Sequence, residues 1–239
     1  MLPSPFYLSE RGSGNQRDFR ILNANVNTAQ GDPERLLEII SHYNPDVILL
    51  QEVGDRWLPS LAALNAEYPF ELVYPKNDNF GIALYSRRPL INPQVRFIGH
   101  VDLATLTARI EFEKQDVYFI AAHTLPPMGW QNSYWRNNQL NLLGEHANAI
   151  NGNVVLAGDL NATPWSGHFQ EMIRNSGLRD SARGYGVQAT WPVGSLLLRI
   201  PLDHCLHSSG LEVVGREVGP DIGSDHFPVI VDLVFAEAG

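Results

Sequence analysis

The chain has 239 residues, 44% hydrophobic and 18% charged, which suits one large folded domain with a substantial core. A net charge of −9 excludes tight, non-specific coating of nucleic acid, yet it leaves room for a phosphate substrate met through a divalent cation. The single cysteine, Cys205, excludes an intrachain disulfide and a cysteine-based zinc site, and no apolar run reaches the roughly 18 residues that span a bilayer.

Residues 1–17 read as an irregular lead-in, without the apolar core of a secretory signal, and residues 18–239 as one domain. Compartment stays open between the cytoplasm and the soluble part of a longer exported or membrane protein, and a monomer is favoured. DFRILNANVN (18–27) alternates as a strand, with Ile21, Asn23 and Asn25 on one face and Leu22, Ala24 and Val26 on the other. An edge or solvated face is a sufficient explanation for the two asparagines. Asp32 and Pro33 then read as the N-cap and first residue of a helix with Leu36, Leu37, Ile39 and Ile40 on its apolar stripe.

DVILLQEV (46–53) is a short buried strand with Gln51 and Glu52 at its exit, and residues 57–64 read as a helix. Phe70 to Tyr74 and Phe80 to Ser86 are further strands, the second closed by Arg87-Arg88-Pro89. That basic pair is either a solvated turn or a phosphate contact, so Arg87 is kept as a candidate substrate-binding residue. Residues 95–98, 104–112 and 115–122 add three strands without helices between them, which points to two packed sheets covered by helices rather than a βαβ repeat.

His123 stands at the exit of the last of these strands. The helix that follows carries Trp130, Tyr134 and Trp135, an aromatic group that serves either as core or as a platform against a sugar or base. VVLAGDLNATP (154–164) is a buried strand in which Gly158 marks the point where the strand gives way, with Asp159 and Asn161 two residues apart. A self-bonded Asp/Asn turn explains the motif equally well in isolation.

Residues 165–176 read as a helix. GYGVQATWP (184–192) is a glycine-rich loop without P-loop spacing, a mobile rim that includes Trp191. IPLDHCLHS (200–208) places Asp203 and His204 inside an apolar run, where both need partners. Cys205 between them reads as a small buried hydrophobe. Residues 211–218 form a strand, and Ser224, Asp225 and His226 precede the last strand, 229–235.

Asn25, Glu52, His123, Asp159, Asn161, Asp203, Asp225 and His226 thus stand at or near strand ends. If they converge, the carboxylates repel one another unless a cation sits among them, and this oxygen-rich donor set suits Mg²⁺ or Mn²⁺ better than zinc.

The runs LNANVN, LLQEV, AAHTLPP, GDLNATP, PLDHCL and GSDHFPV, taken in this order, resemble the successive motifs of the endonuclease/exonuclease/phosphatase superfamily. That superfamily includes DNase I-like nucleases, exonuclease III-like abasic-site endonucleases, sphingomyelinases and inositol polyphosphate 5-phosphatases. The resemblance runs from about Arg20 to Phe235 and implies a DNase I-like, four-layered α/β/β/α sandwich with the site at one end of the two sheets.

It also implies roles. Glu52, Asn25 and Asp225 match metal-binding positions, and Asp159 and Asn161 match the pair that positions the attacking water and the phosphate. Asp203 and His226 match a carboxylate–histidine dyad, and His123 matches a histidine that contacts the phosphate and protonates the leaving group. Asn27 stands where abasic-site enzymes tend to have an acid, which argues against a second metal ligand there. The expected activity is Mg²⁺- or Mn²⁺-dependent hydrolysis of a phosphodiester, foremost in nucleic acid such as DNA. A small-molecule or lipid phosphodiesterase, a phosphomonoesterase and a non-catalytic binding domain are the alternatives, with Arg87, Trp130 and Trp191 as further substrate contacts. The loop GSLLL (194–198) is the one stretch that offers an exposed apolar hairpin to a lipid, and core packing explains it equally well.

Overall fold

The computed structural model describes residues 17–113 and 115–237, so the lead-in other than Arg17 lies outside the described residues. Twelve strands form two six-stranded sheets. The first half of the chain gives β1 (Phe19–Asn25), α1 (Pro33–Tyr43), β2 (Val47–Gln51), the single turn α2 (Leu58–Leu61), β3 (Phe70–Tyr74), β4 (Ile82–Ser86), β5 (Leu90–Phe97), β6 (Ala104–Glu111) and β7 (Asp116–Ala122). The second gives α3 (Gly129–Asn148), β8 (Asn153–Asp159), α4 (Gly167–Ser176), β9 (Arg179–Asp180), β10 (Asp203–His207), β11 (Leu211–Val218) and β12 (Val229–Phe235).

The sheets run β11-β12-β1-β2-β4-β3 and β5-β6-β7-β8-β10-β9. Period-two alternation in each strand builds the layers. Phe19 and Ile21 of β1, Val47 and Leu49 of β2, Phe119 and Ala121 of β7 and Val155 and Ala157 of β8 meet between the sheets. The opposite faces meet helices: Leu22, Ala24, Ile48 and Leu50 pack on α1, while Ile120, Val154 and Leu156 pack on α3 and α4. This is the expected α/β/β/α sandwich.

Strand direction decides where the polar ends gather. β1 and β2 are parallel and exit at one pole, where antiparallel β12 enters. β7 and β8 are likewise parallel, and β10 enters beside the exit of β8, Asp203 opposite Asp159. Asn25, Glu52, His123, Asp159, Asp203 and His226 therefore share a pole.

Three local expectations change. β1 lies inside its sheet, so Asn23 and Asn25 are buried, and Asn23 Oδ1 accepts from Gln51 Nε2 at 2.9 Å rather than facing water. The helix expected over 57–64 is a run of two 3₁₀ segments around the one-turn α2, with Pro59 in its first turn. Gly158 does not end its strand. β8 continues to Asp159, and a Cβ at Gly158 would come within 1.8 Å of the Ala122 carbonyl oxygen, so glycine is what lets β7 and β8 approach there.

Candidate active site

Asp159 is the centre of the polar cluster. Its Oδ2 accepts from Asn25 Nδ2 at 3.1 Å and lies 3.6 Å from both His123 Nε2 and His226 Nε2, while Oδ1 accepts from the Asn161 backbone N–H at 2.9 Å. Burial pushes its pKa up, Asp203 adds to the rise, and the two histidines and the Asn161 N–H oppose it. Asn161 Nδ2 donates to the Thr124 carbonyl at 2.8 Å and stands 3.4 Å from His123 Nε2, so Asp159 and Asn161 do point to one side while Leu160 packs in the helix-side core.

Glu52 is joined to this centre through Asn25, whose Nδ2 also donates to Glu52 Oε1 at 2.9 Å. The Glu52 backbone is left-handed, with φ 62°, and Thr28 Oγ1 donates to its carbonyl at 3.0 Å. The other non-glycine residues with positive φ among the described residues are asparagines, which tolerate that region better than glutamate does. Here strain aims a carboxylate at the cluster rather than continuing β2.

His226 Nδ1 lies 2.8 Å from Asp203 Oδ2, and Asp203 is fully buried. Burial alone would lower the pKa of His226. Asp203, Asp159 and Asp225 outweigh it and raise the value to about 10, so the imidazole carries a proton at neutral pH. Asp225 is fixed by two further side chains. Its Oδ1 accepts from Asn27 Nδ2 at 2.8 Å and its Oδ2 from the Trp191 indole N–H at 3.0 Å; burial works to raise its pKa, but these bonds and His226 bring it below the usual value.

One atom from each of Asp159, Asp203 and His226 lies within 4.8 Å of the others, and of this buried group the two carboxylates are the members open to a divalent metal while His226 holds its proton. Asp203 Oδ1 is buried with no hydrogen-bond partner and Asp159 is a desolvated carboxylate, so the pole has unspent negative charge for a cation. Carboxylate and amide groups dominate the donor set, and Mg²⁺ or Mn²⁺ fits it.

All eight strand-end candidates, and Trp191, meet at this pole. Arg87 does not. It follows β4, whose end pairs with the start of β2 at the far pole, and its guanidinium is taken up by the Pro45 carbonyl at 3.0 Å, Glu67 at 2.8 Å, Asn44 and the Tyr68 ring. The structure thus gives it a set of protein partners away from the polar cluster. Trp130 and Tyr134 are exposed rather than core, at the site end of α3. His204, next to Asp203, points to the opposite face of its sheet, stacks on Phe169 and lies 2.8 Å from the Ala162 carbonyl. Cys205 is buried between the sheets, with its thiol pushed up to about 12 by burial.

Sequence reasoning missed the residues that hold these groups in place. Thr190 Oγ1 accepts from the Leu202 and Asp203 backbone N–H groups, Ser224 Oγ donates to the Asn25 carbonyl at 2.8 Å, Arg136 donates to the Asn161 carbonyl, and Phe80 covers His123 with ring centroids 5.2 Å apart. None carries a spacing signal. The Thr190-Trp191 pair stands in the glycine-rich loop, and the need of Asp203 for partners was the one hint toward it.

A sequence profile described as the Endonuclease/Exonuclease/phosphatase family matches residues 22–226. The chain belongs to that family. No curated protein matches it by sequence. Endonuclease/exonuclease/phosphatase folds among solved structures are close in shape and distant in sequence. TDP2 from D. rerio complexed with a single-strand DNA product superposes with a TM-score of 0.74 at 18% identity, covering 90% of this chain and 98% of that one. The human Nocturnin catalytic domain with a bound sulfate anion gives 0.73 at 21% over 92% and 96%. An endonuclease/exonuclease/phosphatase from Beutenbergia cavernae gives 0.72 at 22% over 92% and 72%. These likenesses bear on the fold, which is that of the DNase I-like members.

Proposed function

We propose that the chain hydrolyses phosphodiesters with a divalent cation, Mg²⁺ or Mn²⁺, at this pole. The observation that carries the reading is the placement of His226, held by Asp203 at 2.8 Å with its Nε2 3.6 Å from Asp159. A buried imidazolium beside a buried carboxylate supplies a donor for a phosphate oxygen and an acceptor for a water proton within one pocket. Glu52, Asn25 and Asp225 are the residues assigned to hold the cation, which when bound supplies charge neutralisation at a non-bridging phosphate oxygen.

The chain's own groups divide the remaining work. Asp159 orients a water and takes its proton as the water oxygen bonds to phosphorus. Asn161 Nδ2 and His226 Nε2 donate to the non-bridging oxygens, and His123 Nε2 gives a proton to the ester oxygen as its bond to phosphorus breaks. Trp191 fixes Asp225 through its indole N–H and presents its ring 6.3 Å from His226. The presence of every one of these groups weighs against a non-catalytic binding domain.

A nucleic-acid strand is the second reading for the substrate, favoured by the likeness to a TDP2 structure that holds a single-strand DNA product. The net charge of −9 gives it no electrostatic support away from the cleft. Turnover of bis-p-nitrophenyl phosphate against p-nitrophenyl phosphate, with Mg²⁺, Mn²⁺ or chelator, tests the phosphodiesterase assignment, and supercoiled plasmid nicking tests the nucleic-acid reading. Undiminished turnover in both Asp159→Asn and His226→Ala would remove the proposal.

A further inference from the structure

Several exposed apolar side chains of this molecule stand in segments that adjoin the pole carrying the catalytic cluster. Leu196, Leu197 and Leu198 are 80%, 96% and 71% exposed in the loop before β10. Met128 and Trp130, the latter 82% exposed, stand at the start of α3, and Trp165 stands between Asp159 and α4. GSLLL is therefore not core. Exposed leucines scattered singly need no explanation, but three in a row on a rim shared with tryptophans do.

The leucine loop is held firmly from beneath. Trp191 and Ile200 close its neck as a β-bridge, Arg199 donates to the Pro192 and Val193 carbonyls at 3.3 and 2.9 Å, and the Arg199 guanidinium lies 4.5 Å over the Phe227 ring. The Val193 N–H donates to the Asp225 carbonyl at 2.9 Å, which ties the loop to the site. The loop has spent its polar groups inward and turned its leucines out.

We propose that this rim inserts into a zwitterionic phospholipid surface and brings a lipid phosphodiester over Asp159 and His226. Whatever covers the rim also covers the mouth of the catalytic cluster, so it must take up leucines and present a phosphodiester at the same place. A phospholipid layer does both. Aliphatic leucines give a nucleic-acid base no ring to stack on, whereas leucine with tryptophan is the composition of side chains that enter a bilayer interface. The net charge of −9 gives no attraction to an anionic membrane, which points to a neutral headgroup and to binding that persists at high salt. The lipid as substrate rests on the phosphodiesterase reading above; the docking itself does not.

The test is flotation of the protein with phosphatidylcholine vesicles at 0.1 and 1 M NaCl, for the wild type and for Leu196→Ser/Leu197→Ser/Leu198→Ser, alongside turnover of bis-p-nitrophenyl phosphate. We expect wild-type binding at both salt concentrations, at least a tenfold loss in the triple variant, and equal turnover of the soluble ester by the two proteins. Equal vesicle binding by both, or no binding by the wild type, overturns the proposal. So does a concentration-dependent dimer, or binding of a single-stranded oligonucleotide, that the triple substitution abolishes. Leucine-dependent flotation by a wild type that turns over no ester supports the docking and removes the phosphodiesterase reading alone.

Discussion

Asp203 Oδ2 and His226 Nδ1 are 2.8 Å apart, joined across 23 residues by the entry of β10 on one sheet and the entry of β12 on the other. The carboxylate fixes the ring so that Nε2 faces Asp159, and it sustains the proton on that ring.

Asp203→Asn keeps the shape of the side chain and removes its charge. Expected is a fall in kcat of about 10²- to 10⁴-fold, the range over which a positioned acid or base contributes. KM should change far less. A thermal midpoint near that of the wild type, measured on the same sample, separates lost chemistry from lost fold. Wild-type kcat in this variant would show that the dyad does not act.

Metal addition should raise the thermal midpoint of the wild type. A ligand that binds only the folded state at 100 times its Kd stabilises by about 2.7 kcal/mol. Glu52→Gln removes one of the carboxylates assigned to the cation and should abolish both the Mg²⁺-dependent shift and the activity, while chelator should leave it unchanged. A full Mg²⁺-induced shift in Glu52→Gln would remove Glu52 from the metal site.

Most of the architecture, and the gathering of polar strand ends at one pole, was legible because both follow from local pattern. Alternation in LNAN and VVLAGD fixed which side chains face each sheet's partner, and polar residues at strand exits marked the pole. What stayed hidden depends on partners distant in sequence. Asn23 and Asn25 read as possible surface residues because nothing in their own stretch reveals that β12 and β2 flank them on both sides. Arg87 read as a possible phosphate contact because antiparallel β4 sends it to the wrong pole, a fact of topology rather than of spacing. Thr190 serves Asp203 through backbone N–H groups, and no residue type is required on the other side of such a bond.

Arg87→Ala should leave kcat and KM for a phosphodiester unchanged, since its partners are Pro45, Glu67, Asn44 and Tyr68. It should lower stability by about 1 to 2 kcal/mol through the lost bond to the Pro45 carbonyl and the lost stacking on Tyr68. Denaturant unfolding with parallel kinetics checks both halves. A large loss of activity at unchanged stability would return Arg87 to the substrate path.

Gly158→Ala places a methyl 1.8 Å from the Ala122 carbonyl oxygen at a backbone φ of 146°. The parallel pair β7–β8 must separate, and it carries both His123 and Asp159. We expect a destabilisation of about 3 kcal/mol or more with loss of activity, read by calorimetry and turnover. Wild-type stability would show that the two strands tolerate the separation.

His207 gives the pH dependence of stability a component that lies away from the site. It ends β10 at the far pole, opposite Val155, with Nδ1 3.0 Å from the Ser208 carbonyl. Burial is the main influence and lowers its pKa, helped by Arg179 and opposed by the backbone carbonyls of Ser208 and Leu211 and by Asp180. The unfolded chain, with a value near 6.5, therefore binds the proton more readily than the fold does. The stability that neutral His207 contributes is complete above that pH, is lost as pH falls through the window down to the folded value, and is constant below it. His204 on the same strand is shifted in the same direction, also chiefly by burial. Within the window each such group adds a slope of up to about 1.4 kcal/mol per pH unit. His207→Gln should lower stability at pH 8 through poorer packing and flatten the fall below pH 6.5. The difference between variant and wild type, from denaturant unfolding at each pH, isolates this group from the carboxylates. Parallel curves for the two proteins would mean that His207 keeps its unfolded affinity for the proton inside the fold.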